Sequence, residues 1–219
     1  MMKRTTLLSH RVIALGIFIL AVELMPLSGS VVHATTFGFT KITNNGPDDV
    51  SSQLLADVTD SNGQILFKFS NTGPLDSFIA QIYFDDNNSL LSNMTILDDT
   101  NPETSLGVSF SSPANPADLP SGNTAVPSFV ADLSAGADAP SPQNGVNPSE
   151  MVGILFDGNL TNVLTDLNSG ALRLGLHVQG IGSTGNSDSF VSVPEPGMAI
   201  NAMMLLALTG LPLLRRRRR

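Results

Sequence analysis

The chain has 219 residues, no cysteine, no tryptophan, one tyrosine and a formal charge of −8 at pH 7. Disulfides are therefore excluded, and a carbohydrate-binding face built on stacked tryptophan and tyrosine is poorly supported. An acidic chain also repels nucleic-acid phosphates, which argues against a DNA- or RNA-binding role.

The N-terminus carries Lys3, Arg4 and Arg11, then an apolar run from Val12 to Val22, then Val32-His33-Ala34. This is the tripartite pattern of a secretory signal peptide, with cleavage expected between Ala34 and Thr35. Its partners would be the secretion translocon and signal peptidase; the competing reading is an uncleaved membrane anchor. The expected exported domain, residues 35–192, keeps only Lys41, Lys68 and Arg173 as fixed cations against 17 Asp and Glu, a formal charge of −14. Divalent cations are electrostatically favoured partners of such a surface.

Within that domain the dominant period is two, which predicts strands. Phe37, Phe39 and Lys41-Ile42 open an extended segment. Leu54–Thr59 and Gln64–Phe69 flank Asp60-Ser61-Asn62-Gly63, and Asn-Gly between alternating apolar runs predicts a tight hairpin. Further strands are expected at Phe78–Phe84, Leu90–Leu97 and Leu106–Phe110. Seven prolines then fall between Ser111 and Ser149. Proline cannot donate to a ladder, so this stretch reads as a long, exposed and mobile loop with at most a short strand near Phe129-Val130. Val152–Phe156 resumes the strands, Asn159–Asn168 has helical spacing and ends at Gly170, and Ala171–Gln179 alternates Leu172, Leu174, Leu176 and Val178 on one face. Phe190-Val191 gives a last short strand. The expected fold is mainly β: an antiparallel β-sandwich with one short helix, flanked by an N-terminal signal helix and a C-terminal transmembrane helix.

The chain ends in Val193-Pro194-Glu195-Pro196-Gly197, an apolar stretch of 17 residues from Met198 to Leu214, and five arginines. As a helix that stretch is roughly 25 Å long, only just enough for a bilayer core. The arginines cannot readily cross hydrocarbon and would hold the C-terminus on the cytoplasmic side. Together the three parts resemble the PEP-CTERM sorting signal of exported bacterial proteins. The resemblance implies processing by an exosortase, with Pro194, Glu195 and Pro196 as the recognition and cleavage motif. It also implies 198–214 as the membrane segment and Arg215, Arg216, Arg217, Arg218 and Arg219 as the cytoplasmic stop. Leu172–Gly180 with Ser187–Phe190, and Asn144–Glu150, resemble segments shared by small β-rich proteins of that group. The route implied by the resemblance is export across the inner membrane, transient anchoring, then release to the cell surface or extracellular polymer matrix. A plain inner-membrane anchor facing the periplasm is the competing reading of the tail.

Motifs that could carry chemistry have bland alternatives. Gly180-Ile181-Gly182-Ser183-Thr184-Gly185 fits a dinucleotide fingerprint but lacks the following helix, so it reads as a glycine turn. His177 is the one histidine left after signal cleavage, with no G-x-S-x-G elbow to serve. Asp85, Asp86 and Asn87 follow one expected strand, and Asp98 and Asp99 follow the next. These are the candidate calcium ligands, weighed against the turn hydrogen bonds that Asp and Asn favour. No catalytic residue is assigned. The expected role is non-enzymatic: a structural or adhesive protein of biofilm or envelope, associated with extracellular polysaccharide. A glycan- or ligand-binding module is the alternative.

Overall fold

The structure, a computed structural model, describes residues 34–193. The expected signal peptide up to His33, the motif Pro194, Glu195 and Pro196, the 198–214 segment and Arg215–Arg219 lie outside the described residues, as do the two terminal helices of the expected fold.

Ten strands form one antiparallel sheet: β1 Thr35–Lys41, β2 Leu54–Ser61, β3 Gln64–Asn71, β4 Phe78–Asp86, β5 Ser92–Ile96, β6 Phe110–Ser111, β7 Leu133–Ala137, β8 Glu150–Asp157, β9 Leu172–Ile181 and β10 Asn186–Val193. A single-turn helix α1, Ser141–Asn144, precedes β8, and α2, Leu160–Ser169, joins β8 to β9. The order across the sheet is β5-β8-β3-β2-β1-β10-β9-β4-β7-β6. Four strands separate β3 from β4 in that order, yet Phe67 and Phe84 meet edge-to-face with centroids 5.3 Å apart. Phe156 of β8 also lies 4.9 Å from Phe84. The sheet therefore rolls over onto itself. The segment after β5 crosses the gap between its ends, with Ser105 N–H donating to Met151 O and Ser109 N–H to Asn144 O. The result is a nearly closed barrel, where the sequence predicts a sandwich of two sheets. Both architectures need the same alternation along each strand, so periodicity does not record where a sheet breaks.

The inward faces make the core: Phe37, Phe39, Phe67, Phe69, Ile82, Phe84, Phe156, Leu172, Leu174, Leu176 and Val178 are all buried. The β2–β3 hairpin forms as expected, with Asn62 and Gly63 at φ 56° and 85°, as a type I′ turn requires. Helix α2 starts at Asn159, whose side chain accepts from Asn162 N–H, and stops at Gly170 with φ 80°.

Three expectations are corrected. Leu106 does not enter a strand. It is 86% exposed beside Gly107 at φ 89°, and only Phe110–Ser111 pairs. The strand inside the proline-rich stretch is Leu133–Ala137, while Phe129 lies outside it. That stretch is no free excursion either. Ala114, Leu119 and Phe129 are buried against Tyr83 and Val191, so residues 112–132 cover the outer face of β4, β9 and β10. Gly175 makes room for this cover, since a Cβ there would sit 2.8 Å from Phe129 Cζ. With both faces covered, every residue of β4 is buried.

Candidate functional site

The expected cleavage position coincides with the start of the fold. Ala34 is exposed and Thr35 is the first residue of β1, paired with Val58. At the other end Val193 is the last residue of β10, pairs with Gly38 and is 38% exposed. β1 and β10 are antiparallel neighbours, so the chain enters and leaves the barrel at the same pole. Helix α2 lies at that pole, because it follows the end of β8 that pairs with the start of β3 and precedes the start of β9. Among the described residues no helix is long and apolar enough to cross a membrane.

The calcium candidates are dispersed among other partners. Asp85 points outward, pairs with Arg173 and accepts from Val130 N–H. Asp86 is buried; one oxygen accepts from Leu91 N–H and the other has no partner. Asn87 donates to Asp85 and to Ala171 O. Asp98 accepts from the hydroxyl and N–H of Thr100, whose side chain and backbone hold its carboxyl below the usual range. Asp99 accepts from Gly107 N–H, 3.1 Å away. Asp98 and Asp99 line a cleft of about 420 Å³ with Ser109 and Asn144, and Asp85 and Asp86 have no part in it. Among the described residues no three acidic or histidine side chains come together as a metal site.

The cations are more telling. Lys68 meets Glu103 at 3.3 Å, Lys41 lies 3.0 Å from Asp188, and Arg173 pairs with Asp85. Lys41 also donates to the carbonyls of Gly46 and Asp48. Burial pushes the Asp188 carboxyl up, but the Asn45 N–H, the Thr43 hydroxyl and Lys41 outweigh it and hold it low. All three fixed cations of the described residues are thus engaged. Fourteen carboxylates of the described residues remain without a cationic partner, and of these only Asp86 is buried. The outer surface is accordingly polyanionic.

Sequence reasoning missed the Arg173–Asp85 pair. Arg173 donates to the carbonyls of Pro127 and Ser128, stacks over Phe129 at 5.3 Å and keeps Nε buried without a partner. The signal was there: a guanidinium in the middle of an apolar strand needs a buried anion. Beside it lies a cleft of about 430 Å³, walled by Ile42, Val126, Pro127, Leu167 and Val191.

His177 is half-buried on the outer face, where burial lowers its pKa against the opposing charge of Asp188. Its Nδ1 lies 2.5 Å from Gln81 Oε1 and 3.4 Å from Gln179 Nε2. Ser189 is its register partner on β10, but the serine is buried and its hydroxyl donates to Pro120 O at 2.6 Å. A nucleophile aimed at substrate is not what this geometry provides. The glycine motif is the β9–β10 turn, with Gly180, Gly182 and Gly185 all at positive φ and a strand after it.

Compared with protein-family models, curated proteins and solved structures, the chain matches none.

Proposed function

We propose that this is an exported, non-enzymatic surface or matrix protein, sorted by an exosortase through Pro194, Glu195 and Pro196 and released from its membrane segment. One observation carries the reading: the paired strands run from Thr35 to Val193, which is the piece left between the two expected processing sites. A domain bounded in this way stays whole when both ends are removed.

The polyanionic surface supplies the mechanism. With every described cation paired, the released domain presents carboxylates to its surroundings, and divalent ions bridge these to acidic polysaccharide. Because the carboxylates lie apart rather than in a coordination sphere, the bridging is diffuse and weak per ion. Chelation of divalent ions is expected to free the protein from matrix material. Unchanged retention after chelation would contradict the bridging mechanism. A second reading, a ligand-binding module, is favoured by the partly apolar cleft beneath Val126 and Pro127. Filling it with an Ala125→Trp substitution at its half-buried wall would abolish binding of any ligand it takes and leave matrix retention unchanged.

A further inference from the structure

The two junctions leave the barrel from neighbouring strands at one pole, and this limits how an anchored precursor can sit. Also at that pole are α2 and the turn at Asn62 and Gly63. The opposite pole carries the loop after Lys41 and the turn Gly182–Thr184. Only four residues, 194–197, separate Val193 from Met198, where the apolar stretch begins. Fully extended, four residues span about 14 Å. A domain of this size has a radius of gyration of about 15 Å and a diameter of nearly 40 Å. The tether is far shorter than the domain, so the opposite pole cannot turn round to reach the bilayer.

We propose that, in the anchored precursor, the α2 pole is held against the lipid headgroup surface. This rests on the sorting reading above. The exposed residues of α2 are Thr161, Asn162, Thr165 and Ser169, whose hydroxyls and amides can exchange hydrogen bonds with headgroups. Its one charge, Asp166, accepts from Asn88 at 2.7 Å. Nearby, Asp60 accepts from Gly63 N–H and Asp157 from Gln64 and Asn93. No cation of the described residues is free at this pole to attract anionic lipid. The orientation is therefore imposed by the tether, not by adhesion, and it ends when the tail is cut. A domain with no independent hold on lipid leaves the membrane as soon as it is processed.

The absence of cysteine allows single labels to be placed cleanly. The full-length chain carrying Thr165→Cys or Ser183→Cys, each with a fluorophore, is inserted into phosphatidylcholine vesicles containing headgroup-nitroxide lipid. Quenching is expected to be several-fold stronger at 165 than at 183. A Gly-Ser spacer of about 20 residues between Val193 and Pro194, with an r.m.s. length of about 25 Å, is expected to remove most of the difference. Equal quenching in the unspaced chain, or stronger quenching at 183, overturns the orientation and leaves anchoring intact. A chain that does not float with the vesicles overturns the anchored-precursor reading itself.

Discussion

At the residue scale the buried ion pair is the point where a single change does most damage. Arg173 and Asp85 lie beneath Phe129, and the guanidinium also holds the carbonyls of Pro127 and Ser128. Removing one partner leaves the other charge buried and alone, which typically costs about 3–5 kcal/mol. Arg173→Met is therefore expected to lower the urea midpoint sharply, while the Asp85→Leu/Arg173→Met double variant loses less. A double variant less stable than the single one would contradict this account. The second residue-scale prediction concerns pH. The folded-state pKa of His177 is depressed by burial, so the unfolded chain binds a proton more readily between that value and the ordinary one of about 6.5. Its contribution to stability is whole above that range and is lost as pH falls through it. His177→Gln is expected to flatten this part of the stability profile, read from urea midpoints across pH 4.5–8 (about the range in which an ordinary histidine titrates). Asp188 acts lower, because its carboxyl is held below the ordinary value of about 3.9; its contribution disappears only as pH drops through the folded-state pKa.

Elements whose causes are local were legible in the sequence. The Asn62-Gly63 hairpin, the α2 helix between Asn159 and Gly170, and the one-sided apolar face of β9 all arise from turn chemistry, caps and period. At Gly170 the φ of 80° makes Gly170→Ala a strained replacement, expected to cost about 1 kcal/mol in thermal unfolding. What the sequence did not disclose depends on distant partners. β7 forms inside a proline-rich stretch because β4 offers it an open edge, and β10 reaches eight residues because β1 and β9 flank it on both sides. The same holds for the 112–132 cover. Its few apolar residues look like loop composition until Gly175 and Tyr83 provide the surface they pack on. Phe129→Ala should cost about 3–5 kcal/mol, with faster amide exchange in 112–132 before the barrel strands. Uniform exchange across cover and barrel would mean that the cover is not a separable layer. Among the site residues, Asp98 and Asp99 occupy turns that composition already suggested, whereas the fate of Asp85 required knowledge of β9.

At the scale of the whole molecule, charge and connectivity point the same way. A barrel with net charge −14 over residues 35–192, its described cations all paired, repels phosphate-rich surfaces and electrostatically favours multivalent cations. The first and last strands emerge at one pole, next to the sequences proposed for removal. Matrix retention should therefore track divalent-ion concentration and be weakened by monovalent salt, which screens exposed charges beyond about 8 Å at physiological strength. Retention indifferent to both would point to a specific ligand instead. Processing at both ends is read from the intact mass of the protein recovered separately from membranes, cell surface and medium. A surface or released species that begins at Thr35 and lacks everything beyond the Pro194-Glu195-Pro196 motif is expected. A membrane-bound species still ending at Arg219, with none released, would contradict it.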